Sequence, residues 1–136
     1  MELTARDRAV LAEDLQHSCT NFLIAYRGPQ RAGSGPIRLR ADGYSTLSDG
    51  DLILAQILEP LVLSGRVVTS WPRDEGGPEA ELELRVDVAR TDHSTERGVS
   101  TLHTAVLTFI DPASGSVAFA ASCELPKQSM KGWFAN

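Results

Sequence analysis

The chain has 136 residues, of which 42% are apolar, and it carries a formal net charge of −5. This length suits a single domain, residues 1–136, with residues 1–3 and 128–136 as flexible tails. The apolar share excludes general disorder, and the acidic balance argues against a nucleic-acid binder. No apolar run approaches the ~20 residues that span a bilayer, so we expect no membrane insertion.

The N-terminal segment Met1–Asp7 lacks a basic region followed by an apolar core. It is therefore not predicted to be a signal peptide. Two localisations remain open: the protein is cytosolic, or an export signal has been removed from it.

The first predicted element is a helix from Thr4 to about Tyr26. Thr4 is a suitable N-cap, and Asp7 follows three residues later, as in a capping box. Apolar residues recur at three- and four-residue steps and form one stripe, which predicts packing on a core. The stripe consists of Leu11, Leu15, Cys19, Phe22, Leu23 and Tyr26. The Gly- and Pro-rich segment Arg27–Pro36 is predicted to be a loop.

Alternating apolar and polar residues predict a half-buried strand over Ile37–Tyr44. A second amphipathic helix follows, with Ser48 or Asp49 as its N-cap. Gly65 stands where a left-handed residue would end this helix. Because the apolar pattern continues beyond Pro60, we predict a kinked helix rather than one that ends at the proline.

The rest of the chain predicts strands. Ala80–Asp92 alternates most clearly, with Leu and Val on one face and charged residues on the other, so Glu81, Glu83 and Asp87 are expected on a solvated surface. Asp111–Gly115 has the composition of a hairpin turn. The further predicted strands are Arg66–Trp71, Thr101–Ile110 and Ser116–Glu124, with a loop at Pro72–Pro78 and a polar connector at His93–Gly98.

Together these elements predict an α+β fold. We expect a mostly antiparallel sheet of about four to five strands, with two amphipathic helices packed on it.

The residues that could carry chemistry show no recognisable spacing. The three histidines and two cysteines form neither a Cys-x-x-Cys nor a His-x-x-x-His pair, and no Gly-x-Ser-x-Gly elbow is present. We therefore predict no catalytic residue, no metal and no cofactor. Cys19 and Cys123 are expected to be small buried residues, although a disulfide between them stays open.

Four residues are candidates for binding a partner. Arg38 and Arg40 lie in a segment without acidic residues, and they could join a basic patch or simply face solvent. Trp133 and Phe134 stand near the C-terminus, where aromatic side chains either anchor a partner or fold back on the sheet.

The element order and several local strings resemble the LpoB-like family of penicillin-binding protein activators. This family is related in fold to the N-terminal domain of TolB and to the curli secretion lipoprotein. The similar segments are Leu15–Leu23 in the first helix, Pro36–Arg40 in the first strand, Asp49–Val67, and the final hairpin Thr108–Glu124.

The resemblance implies a lipoprotein-like domain of the cell envelope that acts in peptidoglycan synthesis. It further implies a non-enzymatic module that docks on a protein partner, a penicillin-binding protein. Two alternatives remain open. One is an assembly subunit that pairs through a sheet edge. The other is a small enzyme that uses His93 or His103 with a carboxylate from the long strand.

Overall fold

The computed structural model of the protein describes residues 3–26, 36–41, 48–70 and 80–126. Two helices and five strands form an α+β fold, which confirms the predicted class, and the strands make one sheet in the order β2-β1-β3-β4-β5. The elements are α1 (Ala5–Ala25), β1 (Ile37–Ala41), α2 (Asp49–Leu63), β2 (Val67–Ser70), β3 (Leu82–Thr95), β4 (Gly98–Ile110) and β5 (Val117–Leu125).

Both helices begin at the predicted caps. The Thr4 hydroxyl accepts a bond from the Asp7 N–H at 3.1 Å, and the Asp7 carboxylate accepts one from the Thr4 N–H at 3.4 Å. This reciprocal pair is a capping box. At the start of α2, the Ser48 hydroxyl accepts a bond from the Asp51 N–H at 3.2 Å. Ser48, rather than Asp49, is therefore the N-cap.

The C-terminus of α2 also follows its sequence. The helix continues through Pro60 to Leu63, as predicted. Gly65 then adopts a φ of 78°, where a side chain would be strained. The Arg66 N–H donates to the Leu61 carbonyl at 3.1 Å, and the Gly65 N–H donates to Val62 at 3.0 Å. These two bonds make a Schellman motif.

The sheet is mixed. β3, β4 and β5 form an antiparallel meander, as the sequence predicts. β1, however, lies parallel to both of its neighbours, β2 and β3. The predicted antiparallel pairing therefore holds for β3–β5, and the β1 end of the sheet is parallel. The reason is that α2 connects β1 to β2 as a crossover, which returns the chain to the same end of the sheet.

One face of the sheet carries the core. Each strand contributes alternate apolar side chains to it, and α1 and α2 cover it with their apolar stripes. The largest fully buried side chains include Leu11, Leu15, Leu39, Ile53, Leu54, Ile57, Leu84, Leu107 and Phe109. On the helix layer, Arg8 and Asp49 form an ion pair of 3.3 Å that joins the N-terminal turns of the two helices.

β3 and β4 differ from their predicted bounds. His93–Gly98 was expected to be a polar connector, but β3 continues to Thr95 and β4 begins at Gly98. The turn consists of Glu96 and Arg97, and the Thr95 hydroxyl accepts the Arg97 N–H at 3.2 Å. The prediction was wrong here because both faces of the two strands are exposed to solvent. Apolar and polar residues therefore do not alternate, and the sequence lacks the usual strand pattern.

The bounds of β5 and the first residues of β1 and β2 agree with the prediction within one residue. The turn after β4 is also as predicted, with Gly115 at a φ of 74° and its N–H donating to the Asp111 carbonyl at 2.7 Å. Residues 42–44, Trp71, the loop Pro72–Pro78 and most of Arg27–Pro36 lie outside the described residues. Within the described ranges, no helix combines the length and apolarity needed to cross a membrane.

Candidate functional site

The sheet has a second face, opposite the two helices, which we call the open face. On β1 it carries Arg38 and Arg40, because Ile37, Leu39 and Ala41 point into the core. Neighbouring strands place further polar and apolar side chains beside them. Neither α1 nor α2 packs on this face, so it is the broadest strand surface of the described fold.

Paired charges line the β1–β3 half of the open face. Parallel pairing sets Arg38 beside Glu81, 3.6 Å apart, and Arg40 beside Glu83, 2.6 Å apart. Arg85 contacts the other oxygen of Glu83 at 3.2 Å. Glu83 therefore accepts charge-assisted hydrogen bonds from two guanidinium groups, a strong arrangement for a carboxylate.

The two glutamates correct an expectation. They were predicted on a solvated strand surface, but Glu81 is only 3% exposed and Glu83 only 7%. The arginines are the more exposed partners, with side-chain exposures of 39% for Arg38 and Arg40 and 50% for Arg85. The outer layer of this half of the face is thus made of guanidinium donors, with the carboxylates beneath them.

The sequence held a signal for this ladder. β1 reads Arg-x-Arg and β3 reads Glu-x-Glu, with the same two-residue step. If two strands pair parallel and in register, such patterns match position for position. Secondary-structure propensity could not reveal that β1 and β3 are neighbours, because Arg40 and Glu83 lie 43 positions apart in the chain. Their pairing depends on how the intervening crossover folds.

The β4–β5 half of the open face mixes aliphatic and polar side chains. The polar residues that share it with the aliphatic ones are Thr104, Thr108, Ser122 and Glu124. Val106 and Ile110 are half-buried on β4, and Ala120 is exposed on β5 beside Thr108. Val117, at the start of β5, is 61% exposed. Small aliphatic and hydroxyl side chains beside guanidinium groups are a composition that protein-contact surfaces use.

Two open grooves flank α1 on the helix layer. One, of about 420 Å³, lies between α1 and Gln56 of α2, and the other, of about 460 Å³, lies between α1 and β5. Glu13 and His17 line both. The grooves are shallow and are lined mainly by side chains of one helix, so they bring together fewer polar groups than a catalytic cleft does.

The two histidines of the enzyme hypothesis lie on opposite faces of one ribbon. His93 pairs with Ser100, whereas His103 pairs with Arg90, three residues from His93 on the same strand. Because side chains alternate along a strand, His93 and His103 point away from each other. They cannot act together on one substrate.

The carboxylate closest to these histidines is Asp92. Hydrogen bonds from the Thr101 hydroxyl at 2.8 Å and from Arg90 at 3.1 Å lower the pKa of Asp92 below its ordinary value. Asp92 therefore stays ionised near neutral pH, which makes it a poor proton donor. Among the described residues, no group of three or more His, Cys, Asp or Glu side chains could hold a metal.

Cys19 and Cys123 are not joined in a disulfide. Cys19 is fully buried in α1, and burial raises the pKa of its thiol to about 12. Cys123 is half-buried, with its sulfur 3.7 Å from the Leu11 carbonyl oxygen. Cys19 is thus a small core residue, as predicted. The other two candidates for partner binding, Trp133 and Phe134, lie outside the described residues.

Comparison with known proteins adds little. No protein-family model matches the sequence, and no curated protein matches it either. Among solved structures, the chain is similar to a neuraminyllactose-binding hemagglutinin homolog from Helicobacter pylori. The identity is 16%, the match covers 72% of this chain and 69% of that chain, and the TM-score is 0.39. A likeness at this level supports no conclusion about function.

Proposed function

We propose that this protein is a non-enzymatic binding module that docks on a partner protein through its open face. The observation that carries the proposal is the composition of that face. Partly exposed guanidinium groups of Arg38, Arg40 and Arg85 lie on the same sheet face as small aliphatic and hydroxyl side chains around Ala120. Aliphatic contact with arginine at the edge is a combination that protein interfaces favour.

The ion-pair ladder favours this function in a second way. Each arginine is held by a glutamate, so its side chain loses little conformational freedom when a partner binds. Arginine donors held in place can bind carboxylates or backbone carbonyls of the partner. Arginine side chains that are already fixed by ion pairs therefore favour binding of a partner protein.

The resemblance to LpoB-like activators suggests which partner to test. It implies a penicillin-binding protein, a cell-wall synthase whose conformational equilibrium the bound module would shift. On this proposal the protein acts in the cell envelope, and its role in peptidoglycan synthesis depends on contact and not on chemistry of its own.

Binding of the purified protein to a purified bifunctional penicillin-binding protein of its own organism tests the proposal. Biolayer interferometry with wild type, Arg85→Ala and Ala120→Glu measures the affinity. Both positions are exposed on the open face, so both variants should fold. We expect each to weaken binding by about tenfold or more.

Ala9→Glu is the matched control. It makes the same change at an exposed position of α1, on the opposite side of the molecule. It should bind like wild type. The choice of partner is wrong if wild type shows no binding at about 100 μM, a concentration at which even weak signalling contacts are measurable. The open face is the wrong surface if all three variants bind equally.

A further inference from the structure

The distal part of the β3–β4 hairpin forms an arm, which we define as residues 89–102. Pairing with β1 ends at Leu84, and pairing with β5 ends at His103. Beyond those points β3 and β4 pair only with each other among the described elements. Every residue from Ala89 to Ser100 is exposed. A two-stranded ribbon is marginally stable on its own, so an arm of this length calls for a function.

The outer edge of β3 along the arm has the polarity of a strand that can accept a neighbour. The Asp111 N–H donates to the Ser116 carbonyl on the β5 side at 2.8 Å, so the preceding residue, Ile110, directs its backbone groups to β3. Ile110 pairs with Glu83, so odd-numbered residues of β3 bond to β4 and even-numbered residues direct their backbone groups to the outer edge. Along the arm the outward residues are Arg90, Asp92 and Ser94. The β3–β4 register has no bulge, so the edge stays regular.

The charge order of the arm matches itself in the antiparallel direction. Arg90, Thr91 and Asp92 are consecutive. If a second copy pairs antiparallel about Thr91, each Arg90 stands opposite the other copy's Asp92, and the two threonines meet on the axis. Opposite charges and paired threonines are favourable cross-strand neighbours.

Other registers lack this match. An axis at Arg90 would set two arginines opposite each other, and an axis at Asp92 would set two aspartates opposite each other. An axis at Ala89 leaves every charge opposite an uncharged residue or a histidine. Even residues also face even residues in the Thr91 register, so the outward backbone groups of Arg90 and Asp92 meet as hydrogen-bonded pairs.

We propose that the arm is a homodimerisation element, in which two copies join their β3 strands antiparallel about Thr91 into one continuous sheet. The two-fold axis closes the assembly at a dimer and covers the outer β3 edge of both arms. This inference goes beyond the proposed function and uses a different surface, since the open-face positions Arg85 and Ala120 lie outside the nine paired residues 87–95.

The helix layers leave room for this pairing. α2 meets β3 at Val86, where Gly50 touches the strand backbone. In the Thr91 register the second copy's Val86 lies opposite Glu96. The two contact points are therefore ten residues apart, roughly 33 Å along the strands. Each α2 runs back antiparallel to β1 and so away from the arm.

Sedimentation velocity and light scattering of the full chain at about 10–500 μM test the proposal, a range suited to a small, weak interface. We expect a concentration-dependent dimer for wild type. Asp92→Arg places like charges opposite each other twice and should weaken the dimer at least tenfold. The double variant Arg90→Asp/Asp92→Arg restores opposite charges and should restore the dimer.

Ser94→Pro is an independent variant that keeps the charges. Ser94 lies opposite the second copy's Val88 in the Thr91 register, and the change removes an outward N–H but no bond to β4, so it should abolish the dimer and keep the circular dichroism of wild type. The proposal is overturned if wild type is monomeric throughout the range. It is also overturned if a dimer forms that resists both Asp92→Arg and Ser94→Pro, or if the charge-swapped double variant stays monomeric.

Discussion

Gly50 is the position where one methyl group should cost the most. It lies in the first turn of α2, over the backbone of β3. A Cβ atom there would meet the Val86 carbonyl oxygen at 2.4 Å and its carbon at 3.3 Å. Ordinary contact is about 1 Å longer. Because the opposing atom is backbone, a side-chain rotation cannot relieve the clash, and α2 must move.

The cost follows from what α2 covers. Ile53, Leu54 and Ile57 are fully buried beneath the helix. A gap of about 1 Å loses up to half of the dispersion energy of the atoms it separates. Overpacking of this kind costs about 1–3 kcal/mol, and the better helix propensity of alanine returns less than about 1 kcal/mol. We expect Gly50→Ala to lower the free energy of unfolding by about 1–2 kcal/mol.

Urea unfolding followed by circular dichroism measures this change. Ala9→Gly is the control. Ala9 is exposed on α1, so this variant measures how much an alanine methyl contributes to the free energy of unfolding through helix propensity alone. The double variant Gly50→Ala/Val86→Ala should gain nothing over Gly50→Ala, since truncating Val86 leaves its carbonyl in place. An urea midpoint for Gly50→Ala equal to or above that of wild type would refute the close approach of α2 to β3.

Three further predictions concern buried groups. Phe109→Ala should cost about 3–5 kcal/mol in urea unfolding, since Phe109 is fully buried with its ring 4.7 Å from that of Phe22; a cost below 1 kcal/mol would contradict this packing. Glu83→Ala should cost about 1–3 kcal/mol because two guanidinium groups lose their acceptor; no loss would argue against the ladder, and Glu96→Ala in the exposed turn is the control. Burial raises the pKa of Cys19 to about 12, so above pH 9 the unfolded chain loses this proton first. Stability should then fall by up to ~1.4 kcal/mol per pH unit between pH 9 and 12, and Cys19→Ala should reduce that slope relative to wild type in urea titrations at pH 8 and 10.

The helix caps and turns of this fold could be predicted from short sequence patterns. The capping box at Thr4, the Ser48 cap and the Schellman glycine Gly65 each involve residues within a few positions of one another. Their hydrogen bonds form as soon as the helix forms, so the pattern is sufficient. The apolar stripes of α1 and α2 and the turn at Asp111–Gly115 were predictable for the same reason.

The arm shows where local patterns fail. A strand is recognised by alternation, and alternation arises when only one face is buried. Residues 89–102 are solvated on both faces, so nothing in their polarity distinguished strand from connector. Their strand character depends on continuous pairing between β3 and β4, which begins in the core and extends outward.

The sequence by itself determined the helices, the final hairpin and the α+β class, because each follows from periodicity and from contacts between residues near in the chain. Only the tertiary structure decided that β1 lies parallel between β2 and β3. Because β1 pairs with β3, Glu81 and Glu83 are buried beside Arg38 and Arg40, although the sequence predicted them on the surface. The physical reason is that burial of a charge depends on which distant segment arrives beside it, and this is a property of the topology rather than of the local pattern.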